Sequence, residues 1–205
     1  MNGFFEQFPI VFQSLNSGFL QTLKLFAVTL LGALPLKPLV LYTTRPPREN
    51  EQDGREYFFI STQQLAEMQQ QGMLIESRTY HTEAGDWTYC TAKHSADLSS
   101  GSYLAIGTLE SYRALRDYYG AETVIPIYIE VEDGIRLERA LRREQQQSAP
   151  NYAELCRRFL ADAEDHSEAH LAAAGIERRF QNESLDRCTA EITDYLRGYG
   201  VSGVA

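Results

Sequence analysis

The sequence has few cysteines, and they lie far apart. Cys90, Cys156 and Cys188 are odd in number and form neither a CxxC pair nor a His/Cys cluster. This spacing argues against a disulfide framework and against a zinc site. We therefore expect reduced thiols in a cytoplasmic protein, and no metal site built from protein side chains alone.

The sequence also lacks an excess of basic residues. Lys and Arg together number 19 against 28 Asp and Glu, which gives a formal net charge of −9 at pH 7. Because proteins that bind nucleic acid usually carry a basic face, nucleic acid is not expected as the main partner. A local basic pocket for a small anion is compatible with this balance.

A hydrophobic run long enough for a membrane span is missing as well. Leu25–Leu36 is apolar and uncharged, but it has only about a dozen residues, where a spanning helix needs about 20. Lys24 is the one basic residue before it, and no small-residue cleavage site follows, so a signal peptide is not favoured. With 43% hydrophobic residues over 205 positions, the chain is expected to be globular, without a membrane partner.

The strongest functional signal lies between Tyr42 and Phe59. Arg45 and Arg48 flank two prolines, whose fixed φ angles hold the backbone extended and off a helix. Arginine makes bidentate contacts to phosphate or carboxylate oxygens. Nearby hydroxyl groups that can also donate are those of Thr43, Thr44 and Tyr57. This set of donors predicts a site for an anionic ligand, although a proline-braced surface turn with solvated charges is the alternative.

The same stretch resembles the monophosphate-binding signature of guanylate kinases, T-T-R-x-x-R-x-G-E-x-x-G-x-x-Y. The matching positions here are Thr43, Thr44, Arg45, Arg48, Glu51, Gly54 and Tyr57. Asn50 replaces the first glycine, and Asn tolerates left-handed backbone geometry better than most residues. The resemblance implies that Thr44, Arg45, Arg48 and Tyr57 contact the phosphate end of GMP.

Further residues match the family at the base end of such a site. Glu76 stands where the family has an acid that contacts guanine. Tyr89 and Thr91 match a tyrosine and a hydroxyl of the family only if one residue is inserted, and the alternation of Trp87 and Tyr89 is equally typical of a half-buried strand. The aspartates usual after the next strand are missing, so Thr108 is the candidate substitute, with Glu110 as the alternative.

The resemblance also implies a group of arginines that would neutralise the transferring phosphoryl group. Arg139 and Arg142 lie on a predicted helix, 133–147, that runs into a lid at about 136–152. Arg157 matches the pattern R-x-x-x-A-x-x-E on a predicted helix over 151–173, and Arg158 is the second candidate, although it could pair with Asp162. Asn182 matches the position beside adenine. On the 151–173 helix, periodicity places Cys156 in the core.

The alternation of strands and helices from residue 38 onward predicts an α/β fold with a parallel sheet and helices on both faces. The first of these strands is predicted over Pro38–Tyr42, and Ser61 with Gln64 three residues later is a capping-box pattern that begins a helix. Another helix is predicted over Leu109–Tyr119. The resemblance implies a P-loop-kinase-like sheet, a small mixed β insertion at about 45–92 that binds the monophosphate, and a helical lid. The expected domain organisation is a guanylate kinase-like domain over 37–205, preceded by an atypical segment over 1–36.

The atypical segment lacks the phosphate-cradling P-loop that guanylate kinases carry on their first strand-to-helix turn. Such a loop needs glycines for close backbone approach and a lysine for the β- and γ-phosphates. Ser14–Phe19 has one glycine and no lysine. Either the ATP cradle has been lost or this N-terminus is not the native one, and the sequence leaves both open.

Two functional hypotheses follow. The first is a guanylate kinase-like enzyme that uses ATP with Mg²⁺ and GMP as substrates. The second is a binding module without an ATP cradle, which binds GMP or a phosphorylated peptide at the same arginines. The missing lysine favours the second, whereas the lid and Asn182 favour the first.

Overall fold

The structure is a computed structural model that describes residues 10–15, 20–82 and 85–201. Within these residues the strands are β1 (Ile10–Leu15), β2 (Leu36–Pro38), β3 (Leu41–Thr43), β4 (Tyr57–Phe59), β5 (Leu74–Thr82), β6 (Gly85–Ala92), β7 (Ser102–Ile106), β8 (Val124–Glu130) and β9 (Arg179–Gln181). The helices are α1 (Leu20–Ala33), α2 (Thr62–Gln70), α3 (Leu109–Tyr119), α4 (Asp133–Gln145), α5 (Tyr152–Asp165), α6 (Glu168–Ala174) and α7 (Leu185–Arg197).

The first sheet has five parallel strands in the order β2-β7-β1-β8-β9. β1 lies at its centre, where Ile10 pairs in register with Tyr103 of β7 and with Val124 of β8. Strands of a parallel sheet are buried on both faces, which explains the almost continuous apolar sequence VIPIYIE of β8. Residues 10–15 therefore form the central strand of the main sheet, and residues 20–33 form the helix α1.

Helices cover both faces of this sheet. On one face, α1 and α7 pack around the fully buried Leu30, Ile192 and Leu196. On the other face, α3 and α6 contribute the buried Leu115 and Leu171. This arrangement confirms the predicted α/β fold with a parallel sheet flanked by helices.

The second sheet is mixed and consists largely of the predicted insertion. Its order is β4-β3-β6-β5, with β3 parallel to β4 and antiparallel to β6, and with β5 antiparallel to β6. α2 follows β4 and begins with the predicted capping box. The Ser61 hydroxyl accepts from the Gln64 backbone N–H at 3.1 Å, and the Ser61 N–H donates to the Gln64 side chain at 2.8 Å.

Two predicted element boundaries are wrong. The apolar segment 38–42 is not one strand, because β2 and β3 join different sheets. The segment 151–173 is not one helix, since the chain leaves helical geometry at His166, with φ −111° and ψ 28°. This turn carries Leu171 and Ala174 of α6 back to the core of the main sheet.

Cys156 is exposed, so its predicted place in the core is wrong. None of the residues of α5 is buried, and Leu160 is 68% exposed. The apolar stripe of α5 faces α4 rather than the sheet, and the Arg136 guanidinium of α4 lies 3.8 Å from the centre of the Phe159 ring. The other free thiols are buried, and burial raises the pKa of Cys90 to about 11 and that of Cys188 to about 12.

Candidate functional site

The segment between β3 and β4 is shaped by two residues in left-handed geometry. Asn50 has φ 68° and Gly54 has φ 76°. The Asp53 carboxylate accepts a hydrogen bond from the Phe59 backbone N–H at 2.8 Å, which closes the turn onto β4. Few residues other than glycine and asparagine adopt positive φ readily, which explains how Asn50 stands where the signature has glycine.

Arg45 is buried within this segment, with only 3% of its side chain exposed. Its Nη1 and Nη2 donate to the two carboxylate oxygens of Glu51 at 2.8 and 3.1 Å. The guanidinium also lies over two aromatic rings, 5.3 Å from the centre of Tyr57 and 5.6 Å from that of Phe59. A bidentate, charge-assisted pair and the contacts with the two rings fix the orientation of Arg45.

Glu51 holds the two arginines of the signature in one arrangement. Besides pairing with Arg45, its carboxylate accepts from the Arg48 backbone N–H at 2.7 Å. The hydrogen bonds from Arg45, with a smaller contribution from the Arg48 backbone, lower the pKa of Glu51 to about 2 against the opposing effect of burial. Glu51 is therefore ionised at neutral pH, and it balances the charge of Arg45.

Arg48 is the accessible arginine of the pair. Its side chain is exposed, and its guanidinium makes no hydrogen bond or ion pair with any residue that the structure describes. The Tyr57 phenol lies nearby, and burial raises its pKa, so it stays protonated and can donate. Arg48 and Tyr57 are thus available to an anion at an anchored turn.

A second cluster lies on β5 and β6 around Glu76. Thr91 donates from its hydroxyl to Glu76 Oε1 at 2.7 Å, and Arg78 Nε lies 3.3 Å from Glu76 Oε2. The guanidinium of Arg78 also donates from Nη1 to the hydroxyl of Thr108, the N-cap residue of α3. Arg78, which the sequence motif did not include, therefore connects Glu76 with Thr108, and Thr91 joins this cluster through its hydrogen bond to Glu76.

Strand register places the two clusters on one face of the second sheet. Directly opposite residues of antiparallel strands point the same way, and Glu76 lies opposite Thr91 while Arg78 lies opposite Tyr89. Tyr89 in turn lies opposite Thr43, at the start of the arginine segment. Its ring contacts that of Tyr57, with centres 5.6 Å apart. Tyr89 thus links the base-end cluster to the arginine segment.

Thr44 has a structural contact in addition to its predicted role. Its hydroxyl accepts a hydrogen bond from the Thr88 backbone N–H at 2.9 Å, and its own backbone N–H donates to the Thr88 carbonyl at 3.0 Å. These bonds extend the pairing of β3 and β6 beyond Thr43. The hydroxyl proton of Thr44 is not used in them and can still be donated to a ligand.

The predicted lid arginines form a separate group on α4 and α5. Arg142 pairs with Glu138 at 2.6 Å, and Arg157 and Arg158 both pair with Glu154 at 2.7 Å. These pairs are exposed, and Arg158 pairs with Glu154 where the sequence suggested Asp162. Of the residues described, none in the second sheet forms a hydrogen bond or ion pair with Arg139, Arg142, Arg157 or Arg158.

Arg139 and Asn182 lie together at the end of β9. Arg139 Nη2 donates to the Asn182 carbonyl at 3.3 Å and to the Glu183 carbonyl at 3.4 Å. Asn182 is 4% exposed, and its backbone N–H donates to the Glu130 carbonyl at the end of β8. The structure therefore connects the predicted adenine-side residue to the helix that begins the predicted lid.

The turn that would carry a P-loop, residues 16–19, lies outside the described residues. Among the residues that are described, no three or more His, Cys, Asp or Glu side chains are gathered as metal ligands. No helix in the described part of the chain is long and apolar enough to cross a membrane.

Two features of the site were not predicted from the sequence. The pairing of Glu51 with Arg45 depends on the turn geometry, which the motif alone does not give. Arg78 has a simpler signal, since it follows Glu76 by two residues on a strand and must share its face. A charged residue two positions after a site acid on the same strand is therefore a sequence signal that would have indicated Arg78.

Comparisons with known proteins point to one family. The model of the guanylate kinase family matches residues 33–198. A guanylate kinase of Koribacter versatilis is 31% identical over 159 residues, which is 77% of this chain and 57% of that protein. A guanylate kinase of Nitrosomonas europaea is 43% identical over 42 residues, which is 20% of this chain and 21% of that protein. The chain thus matches less than two thirds of the length of either relative.

A solved structure supports the fold. The crystal structure of guanylate kinase from Anaplasma phagocytophilum superposes with a TM-score of 0.65 and 18% identity, covering 94% of this chain and 86% of that one. At this identity the likeness concerns the fold alone. Together with the family match over most of the chain, it leads to one conclusion: the chain belongs to the guanylate kinase family.

Proposed function

We propose that this protein binds GMP on the face of the second sheet that carries Arg45, Tyr57, Tyr89 and Glu76. The phosphate would contact Arg48 and Tyr57 beside the Arg45–Glu51 pair, and the guanine base would contact Glu76. The observation that carries the proposal is the single face shared by an arginine turn and a buried carboxylate. One end has donors for an anion, and the other has an acceptor for the donors of guanine.

By family, this site belongs to enzymes that transfer the γ-phosphoryl group of ATP to GMP. Such transfer depends on positioning the nucleotides and neutralising charge, with little covalent chemistry for the protein. Arg139, Arg142, Arg157 and Arg158 are the candidates for neutralising the transferring group. Asn182 is the candidate for the adenine side, supported by its contact with Arg139 at 3.3 Å.

Mg²⁺ accompanies ATP in such reactions and neutralises charge on its phosphates. The described residues do not gather a set of carboxylates that would bind Mg²⁺ by themselves. The ion is commonly held mainly by substrate phosphates and water. We therefore assign no protein residue of this chain as its ligand.

A second candidate function is a non-catalytic module that binds GMP or a phosphorylated peptide. The segment Gln13–Gln21 contains one glycine and no lysine. A P-loop uses several backbone N–H groups and a lysine to hold the ATP phosphates. This absence from the sequence favours binding without transfer.

Calorimetric titration with GMP and AMP tests the proposal. We expect GMP to bind more tightly than AMP by on the order of 1–3 kcal/mol, because adenine has no N–H donor at N1 for Glu76. Glu76→Gln should remove most of this preference, while Glu191→Gln, an exposed carboxylate on α7, should leave it unchanged. Equal affinity for both nucleotides, or binding of neither, would contradict the proposal.

A further inference from the structure

Arg78 is the one charged residue of the base-end cluster that the family signature does not include. Its side chain is 18% exposed, and that of Glu76 is 9% exposed. It is held from two sides, by the Thr108 hydroxyl on Nη1 and by the Glu76 carboxylate near Nε. A guanidinium held in this way has a fixed orientation before any ligand arrives.

The ion pair between Arg78 and Glu76 leaves hydrogen-bonding capacity unused. Arg78 Nε and Glu76 Oε2 are close enough to attract each other, at 3.3 Å, yet neither atom makes a hydrogen bond within the described chain. Both atoms are buried. Buried polar atoms in folded proteins are nearly always hydrogen-bonded, so an ion pair at 3.3 Å whose two atoms make no hydrogen bond is a candidate for one that a ligand beside it completes.

Guanine has such complements side by side. Its N1–H and N2 amine are donors, and its O6 and N7 are acceptors on the adjoining edge. A carboxylate matches the first pair, and an arginine guanidinium matches O6 and N7, the commonest specific contact between arginine and a base. A carboxylate and a guanidinium in contact therefore match two neighbouring edges of guanine, one with donors and one with acceptors.

We propose that Arg78 is a specificity-determining residue that donates to the O6 atom of the bound purine, next to the contact of Glu76 with N1–H. The inference rests on the proposed GMP site and adds to it a selection for 6-oxopurines. IMP, which keeps O6 and N1–H but lacks the N2 amine, should therefore also depend on Arg78. Thr108 is a positioning residue that holds the guanidinium in place.

The test measures the affinity of the full chain and of Arg78→Met for three nucleotides. These are GMP, IMP and 2-aminopurine riboside 5′-monophosphate, which lacks O6 and the N1–H but keeps the N2 amine as a donor to Glu76. Loss of a hydrogen bond to a charged group should weaken binding of GMP and IMP by about ten- to a hundredfold. The affinity for the 2-aminopurine nucleotide should change by less than about twofold, because this nucleotide lacks the O6 atom to which Arg78 is proposed to donate.

Two further variants keep the test decisive. Arg78→Lys retains the charge beside Glu76 if Arg78→Met does not fold, and it should still lose affinity for GMP because the planar fork is gone. Arg197→Met, an exposed arginine paired with Asp194 on α7, is the matched control and should change none of the affinities.

The outcomes separate this inference from the proposed function. If the unaltered chain binds GMP no better than AMP, the proposed function and the inference both fail. If it binds GMP selectively and the Arg78 variants bind all three nucleotides as before, only the inference fails. An equal loss for GMP and the 2-aminopurine nucleotide would show that Arg78 only supports the position of Glu76, which also overturns the inference.

Discussion

Arg45 and Arg48 occupy equivalent positions in a sequence motif but different surroundings in the fold. Arg45 is buried and paired with Glu51 through two hydrogen bonds, whereas Arg48 is exposed. The motif predicts both as phosphate-binding residues, and that remains a prediction. It could not predict which of them is paired within the protein, because that depends on how Asn50 and Gly54 turn the chain.

Arg48→Ala should weaken GMP binding by about 2 kcal/mol, since a charge-assisted contact to the phosphate is lost. Binding of guanosine, which has no phosphate, should be unchanged, and so should the free energy of unfolding. Calorimetry with both ligands gives the comparison, with Arg197→Ala as the control. A similar loss for guanosine and GMP would mean that Arg48 acts on the fold rather than on the phosphate.

Arg45→Ala should differ by also lowering the free energy of unfolding, by about 3 kcal/mol. Removing one partner of a buried ion pair leaves the other charge, here Glu51, without compensation. Urea unfolding monitored by circular dichroism measures the effect. An unfolding free energy equal to that of the unaltered chain would show that the pair contributes nothing to folding.

The lowered pKa of Glu51 predicts how stability depends on pH. Its pKa is about 2 in the folded chain, against an ordinary value of 4.5. The unfolded chain therefore binds this proton first as pH falls, so the contribution of Glu51 is complete above about pH 5 and disappears toward pH 2. Between Glu51→Gln and the unaltered chain, the difference in the free energy of unfolding should grow from pH 3 to about pH 5 and stay level from there to pH 7. A constant difference would exclude this linkage.

At the scale of secondary structure, the sequence predicts elements best where local chemistry decides them. The capping box at Ser61 and Gln64 correctly begins α2, and Thr108 begins α3 with Leu109 as its first residue. The single helix predicted over 151–173 failed because periodicity does not reveal where tertiary packing redirects the chain. His166 interrupts that periodic stretch so that α6 can reach the main sheet.

Ser61→Ala should destabilise the chain by about 1 kcal/mol, because the first turn of α2 loses the acceptor for the Gln64 N–H. Ser167→Ala is a matched control, since Ser167 precedes α6 but its side chain makes no capping hydrogen bond. Urea unfolding of both variants measures the contrast. Equal losses in the free energy of unfolding would mean that the capping hydrogen bond of Ser61 does not stabilise the chain.

For the whole molecule, the sequence predicts the α/β architecture because strands and helices alternate along it. It does not predict that β1 lies at the centre of the sheet, since the six residues of a strand carry no information about which strands pair with it. Residues 16–19 are nevertheless important for function, because β1 precedes them and α1 follows them in the chain. They connect the central strand to its helix, where the family carries its phosphate loop.

The chain as written should release little or no ADP from ATP in the presence of GMP, even if it binds GMP. Its sequence between β1 and α1 contains no lysine to orient the γ-phosphate. Replacing residues 16–19 by a longer glycine-rich, lysine-bearing loop should raise the rate, if the other site residues are functional. A coupled assay of ADP release measures both chains, and GMP-free reactions serve as the control. Robust turnover by the unaltered chain would mean that other residues bind ATP.

The central claim is that one face of the second sheet binds GMP from its phosphate to its base, and a crystal structure of the GMP complex tests it most directly. We predict phosphate oxygens within about 3 Å of the Arg48 guanidinium and the Tyr57 hydroxyl, with the guanine N1 atom at a similar distance from Glu76 Oε2. A GMP molecule whose phosphate lies against the arginines of α4 and α5, or whose base makes no contact with Glu76, would contradict it.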